Sequence, residues 1–218
     1  MDSVLADPRL ADPRPVEPSP AASMTLEEWA DLPEDEEGEL VDGQLVEEEM
    51  GSPVHELIVM WLAQLLYGWV RPRGGIVFGS ESKYAVKARR GRKPDLSLYL
   101  PGSVRPARLG VIRVTPDILI EVVSPSPRDI RRDRIEKLND YAAFGVRWYW
   151  IVDPQVRTFE IFELGADRRY ARALGVSEGA IEAVPGCEGL TLSVDALWAE
   201  ADELGPDEPE PPAEEEGE

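Results

Sequence analysis

The 218-residue sequence predicts a mixed α/β (α+β) fold, a mixed β-sheet flanked by helices. Three observations carry that expectation. Val54, Leu57, Ile58, Trp61, Leu62, Leu65, Leu66 and Trp69 recur at i, i+3, i+4 and i+7, the period of an amphipathic helix. The run Ile118–Val123 is almost continuously apolar and β-branched, which suits a central strand buried on both faces. Residues 129–144 return to helical spacing between strand-like runs, so helices alternate with strands.

The elements follow in order. Thr25-Leu26-Glu27-Glu28 fits a capping box that opens a short helix, which Pro33 bounds. Asp42-Gly43 between short apolar runs predicts a hairpin turn. The long helix spans about 54–70 and ends at Pro72 and Gly74-Gly75. Gly75–Gly79 and Lys83–Ala88 read as strands, followed by a basic turn, ARRGRK, and a strand over Asp95–Leu100. The 129–144 helix carries an Ile135, Leu138, Ala142 stripe with Gly145 at its C-terminal cap position. Trp148–Val152 is a strand, Asp153-Pro154 a turn, and Thr158–Glu163 continues the sheet. Residues 168–173 and 189–193 are candidate edge strands, and Val194–Glu200 a last short helix. In RWYWIV, alternation sends Trp148 and Trp150 to one side and Tyr149 to the other. One side is a candidate dimer face; the alternative is a strand buried on both faces.

Composition bounds the function. One cysteine, Cys187, excludes an intrachain disulfide, and one histidine, His55, excludes two-histidine metal sites. No apolar run is long enough for a membrane helix, and the acid-bearing N-terminus lacks a signal core, so a soluble cytoplasmic protein is expected. Residues 1–23, with five prolines, read as a disordered leader, 24–200 as a single domain, and 201–218 as a disordered acidic, proline-rich tail. The net charge of −20 is uneven: residues 24–50 carry −12 and 199–218 carry −10, whereas 71–137 carry +9. A basic central surface is therefore compatible with an acidic chain.

The chemistry starts at Glu121. A carboxylate inside ILIEVV is costly to bury unless a cation sits beside it, or the strand lies at an edge with Glu121 turned to water. Asp95, after Pro94 at the start of a strand, converges with Glu121 if the two strands are neighbours, and hard divalent metals take such oxygen ligands. Glu39 is a third acid, or a hairpin residue facing solvent. Lys137 borders the buried face of its helix, with Arg134 and Tyr141 on its side at i−3 and i+4, or it snorkels to the surface. His55 opens the long helix and is either a site residue or structural. Two basic clusters flank these acids: Lys87, Arg89, Arg90, Arg92 and Lys93 in one, Arg128, Arg131, Arg132 and Arg134 in the other. They are phosphate contacts or solvated charge runs.

The stretches MTLEEWADLPE, GELVDGQLVEEEMGSPVHELIVMWLAQLL, KPDLSLYLPG, TPDILIEVVSPSPRDIRRDRIEKLNDYAAFGVRWYWIVDP and GLTLSVDALW, in that order, resemble the Uma-type restriction endonucleases, a bacterial branch of the PD-(D/E)XK nuclease superfamily. The resemblance runs from about Met24 to Trp198. It implies a restriction-endonuclease-like core, a metal-dependent endonuclease acting on DNA, and a homodimer. Asp95 matches the motif aspartate, Glu121 the second acid, Glu39 the family's early glutamate, and Lys137 a lysine supplied from the following helix. The ordinary motif lysine would stand at position 123, which is Val123, so the lysine looks relocated. The implied mechanism is hydrolysis of a phosphodiester with Mg²⁺ or Mn²⁺ held by Asp95, Glu121, the Val122 backbone carbonyl and waters. Lys137 would stabilise the developing charge, with Glu39, Tyr141 and His55 in support. Two alternatives stand beside it: a catalytically silent nuclease fold serving as a nucleic-acid-binding or protein-interaction module, and a hydrolase of another phosphate ester.

Overall fold

Thr25 caps α1 (Leu26–Ala30) in the capping box expected from the sequence, its hydroxyl and Glu28 bonding each other's ends of the turn. The structure is a computed structural model and describes residues 23–33, 36, 38–47 and 51–205. The leader and most of the acidic tail lie outside the described residues.

The Asp42-Gly43 turn joins β1 (Glu39–Val41) to β2 (Gln44–Val46), with both turn residues at positive φ. Ser52 then caps α2 (Pro53–Val70), whose Pro53 sits in the first turn, where its missing N–H costs nothing. After α2 come β3 (Ile76–Phe78), β4 (Tyr84–Lys87), β5 (Arg90–Arg92), β6 (Leu96–Tyr99) and β7 (Ile118–Val122). A helical stretch follows in three parts: α3 (Pro127–Arg131), a π-helical turn over Arg132–Lys137, and α4 (Leu138–Phe144). Gly145, at φ 95°, ends it as expected. The chain closes with β8 (Trp148–Asp153), β9 (Thr158–Leu164), β10 (Tyr170–Val176), the short pair β11 (Ala180–Ile181) and β12 (Leu192–Ser193), and α5 (Val194–Ala201).

Among the described residues, two larger sheets and the two-stranded β11-β12 pair organise these elements. The larger runs β10-β9-β8-β7-β6-β3 and is antiparallel except at β7-β8, where the α3–α4 crossover makes the pair parallel. The smaller runs β2-β1-β5-β4. The stretch expected as a basic turn therefore contributes a strand, β5.

β7 is a central strand buried on both faces. Ile118, Ile120 and Val122 pack with Leu62, Leu66 and Trp150 under α2 and α5. On the opposite face, Leu119 and Val123 pack with Tyr141, Tyr149 and Ile151. Strand alternation puts Glu121 on this second face, under the α3–α4 helix. Trp148, Tyr149 and Trp150 are all buried by the chain's own residues on the two faces, which removes them as a dimer surface. Ile135 departs from its expected stripe and is 55% exposed. A π turn lodges an extra residue in the helix, so the face drawn from a 3.6-residue period rotates, and Asp133, Lys137, Asp140 and Tyr141 turn inward.

Candidate functional site

Antiparallel pairing of β6 with β7 sets Leu96 opposite Ile120, and one further step in that register sets Asp95 opposite Glu121. The two acids thus stand at the same end of neighbouring strands. The Val122 N–H donates to Asp95 Oδ2 at 2.6 Å, which fixes the aspartate against the β7 backbone. His55, in the first turn of α2, brings Nε2 within 3.3 Å of Asp95 Oδ1, and Nδ1 within 3.3 Å of Glu56. Burial works against a charged ring here, but Asp95 and Glu56 raise the His55 pKa above its ordinary value.

Glu121 is buried, and two groups from the helix meet it. Lys137 Nζ donates to Oε2 at 2.9 Å, and the Tyr141 hydroxyl donates to Oε1 at 2.5 Å. Lys137 Nζ also lies 3.3 Å from Asp133 and 3.6 Å from Glu39. Position 123 is filled by an apolar side chain packed beside Tyr141, and the lysine charge arrives from the helix instead. Burial drives the Glu121 pKa well up; Lys137 opposes the shift, and Asp95, Asp133 and Glu39 add to it. Burial would raise Glu39 as well, but Lys137, Arg92 and the Lys93 N–H hold it below its ordinary value.

Asp95, Glu121, Val122, His55 and Lys137 all line one cavity of about 360 Å³, together with Asp133, Arg132 and Lys93. Glu39 stands behind Lys137, and Tyr141 behind Glu121; neither lines the cavity.

The first basic cluster divides: Arg92 and Lys93 are buried and Arg90 half-buried, whereas Lys87 and Arg89 are exposed. Arg92 is fully buried, donating to Glu39 at 2.5 Å and, through Nε and the terminal guanidinium, to Asp140 at 2.9 and 2.7 Å. It cannot reach a phosphate backbone, because β5 places it between those carboxylates. Arg90 binds Asp140 and Asp42, and Lys87 binds Asp140 at 2.7 Å. Arg89 donates to Ser23 and to the Asp42 carbonyl. Lys93 pairs with the exposed Glu81 at 3.1 Å at the cavity wall. In the second cluster, Arg131 is 73% exposed. Arg134 does not share the Lys137 side: it reaches Glu160 and Asp153 on β9 and β8, at 2.5 and 3.0 Å.

Two acids escape a sequence reading. Asp133 had a signal, its i,i+4 spacing to Lys137. Asp140 had none, since its role depends on β4 and β5 meeting α4.

Among the described residues, no three His, Cys, Asp or Glu side chains form a ready-made metal ligand set. The donor chemistry still fits a hard divalent cation: two carboxylates on adjacent strands open on one cavity, and Glu121 is crowded by like charge. Mg²⁺ is commonly held by one or two carboxylates with water and substrate oxygens completing its shell.

A family model described as "Uma2: Putative restriction endonuclease" matches residues 25–195. The chain belongs to the Uma2 family. Membership makes a nuclease, and hence a hydrolase, its coarse functional class, and restriction-endonuclease-like families generally use divalent metals. A crystal structure described as a "putative nuclease belonging to DUF820" from Anabaena variabilis is similar in fold, with a TM-score of 0.63 and 20% identity. The match covers 82% of the Uma2-family chain and 99% of that neighbour, and places the sheet and its helices in the restriction-endonuclease-like fold. No curated protein matches the chain.

Proposed function

We propose that the protein is a divalent-metal-dependent endonuclease that hydrolyses phosphodiester bonds in DNA. The observation that carries this reading is the meeting of Asp95, Glu121 and Lys137 at one cavity, with the lysine ammonium 2.9 Å from the Glu121 carboxylate. Asp95 and Glu121 would hold Mg²⁺ or Mn²⁺. When bound, such a cation polarises a phosphate oxygen and lowers the pKa of a bound water.

The chain's own residues supply the rest. The Val122 N–H and His55 fix the Asp95 carboxylate in direction. Tyr141 and Lys137 orient the two oxygens of Glu121. Lys137 carries a fixed positive charge to the cavity wall, where it stabilises negative charge developing on the phosphoryl oxygens. Lys93 and Arg132 at the same wall, and exposed Arg131 beyond it, are the phosphate contacts that suit a polyanionic backbone. The sequence carries no base-reading motif, so little sequence preference is expected. In the same reading the enzyme is cytoplasmic, and a homodimer rests on the family resemblance, since Trp148, Tyr149 and Trp150 are buried within the chain. Among the described residues, no helix is long and apolar enough to cross a membrane.

One observation favours a second reading, a silent fold serving as a protein-interaction module: Arg90, Arg92 and Lys87, which would otherwise serve a phosphate backbone, are held by Asp140. Calorimetric titration of Mn²⁺ into the wild type, Asp95→Asn and Glu121→Gln separates the two. Metal binding lost in both variants supports the nuclease. No heat at millimolar metal, with or without DNA, supports the silent fold.

A further inference from the structure

Asp140 is fully buried on α4, outside the cavity, and gathers an unusual number of cations. It accepts from Arg92 at 2.9 and 2.7 Å, from Lys87 at 2.7 Å and from Arg90 at 3.1 Å. Arg92 is equally buried, and the far end of its guanidinium donates to Glu39 Oε2 at 2.5 Å. The other Glu39 oxygen accepts the Lys93 N–H at 3.0 Å and lies 3.6 Å from Lys137 Nζ. The chain from Asp140 through Arg92 and Glu39 to Lys137 is nearly solvent-free, and a guanidinium binds carboxylates through a rigid planar fork. Its orientation is therefore transmitted: fixing one edge on Asp140 fixes the edge that holds Glu39.

We propose that Asp140 is a positioning residue that acts through Arg92 and Glu39 to hold the Lys137 ammonium against Glu121. The inference deepens the nuclease reading and rests on it for its bearing on catalysis, but the relay itself is a property of the folded chain. Asp140 touches neither the cavity nor Lys137. Without it, Arg92 keeps Glu39 but loses the carboxylate that sets its plane, and Glu39 follows.

The test reads the lysine directly. The chain has four lysines, Lys83, Lys87, Lys93 and Lys137, so their side-chain ammonium ¹H–¹⁵N signals can be assigned by single substitutions. Full-length Asp140→Asn is compared with wild type. Leu62→Ala, in the core on the opposite face of the sheet, controls for lost stability. The relay predicts that the Lys137 signal shifts or broadens in Asp140→Asn and holds in Leu62→Ala. It also predicts a fall in kcat on plasmid DNA of tenfold or more with KM nearly unchanged. If Asp140→Asn does not fold, Arg92→Lys, which keeps the charge but loses the fork, is predicted to move the Lys137 signal in the same way. An unmoved Lys137 signal in a folded variant overturns the proposal. A moved signal in a protein that cleaves no DNA leaves the relay standing and overturns the nuclease reading instead.

Discussion

Replacing Lys137 by methionine removes a buried cation from among three carboxylates while keeping side-chain volume. In the structure, Nζ lies 2.9 Å from Glu121, 3.3 Å from Asp133 and 3.6 Å from Glu39, and Lys137 is 3% exposed. At an effective dielectric near 20, each such pair gains about 5 kcal/mol before desolvation is counted. Burying the ammonium offsets much of that, and removing one partner of a buried ion pair typically costs about 3–5 kcal/mol. For a domain of this size, about 1 kcal/mol shifts Tm by roughly 2–4 °C, so a drop of roughly 6–20 °C is expected at pH 8. Burial has already pushed Glu121 and Asp133 upward, so without Lys137 they take up protons readily and relieve the repulsion. The loss in Tm should therefore be smaller at pH 5 than at pH 8. Scanning calorimetry at the two pH values measures both numbers. A Tm unchanged at pH 8, or a loss that grows on acidification, would refute the buried-network reasoning.

Glu39 and Asp140 have carboxyls that internal cations hold below their ordinary values, against the opposite pull of burial. Their stabilisation is fully present above the unfolded-state values of about 4 and is lost as pH falls through the lower native ones. Wild-type Tm should fall steeply in that acid range, and Asp140→Asn should flatten the curve; parallel curves would contradict the assignment. A Cβ on Gly91 would stand 2.2 Å from the ring of buried Trp29, so Gly91→Ala should cost about 1–3 kcal/mol by overpacking, read from urea unfolding midpoints. Exposed Arg131 should contribute one phosphate contact, so Arg131→Ala should reduce the slope of log K against log salt by about 1 in DNA binding by anisotropy. An unchanged slope would remove Arg131 from the DNA path.

How much of this is legible in sequence depends on the range of the interaction. The α2 periodicity and the β7 apolar run are local patterns, and the expected 54–70 and 118–123 lie within a residue of Pro53–Val70 and Ile118–Val122. In sequence alone the convergence of Asp95 with Glu121 is conditional on strand neighbours, and the β6-β7 register supplies that condition. Sequence leaves the placement of Lys137 open because the π turn, which no 3.6-residue template contains, decides whether it faces in or out. The basic run misled for a different reason. Five cations in seven residues look solvated, yet β5 pairs with β1 and packs near α4, so Asp140 and Glu39 draw Arg92 inside. Nothing local encodes that, because the partners are 48 and 53 residues away.

The most direct measurement is cleavage of supercoiled plasmid DNA with Mg²⁺ or Mn²⁺, beside EDTA and beside Glu121→Gln. Nicked and linear product from the wild type with metal, and none from either control, is the predicted result. Cleavage that survives EDTA or the Glu121→Gln substitution, or no cleavage with any divalent metal, would contradict the metal-dependent nuclease assignment.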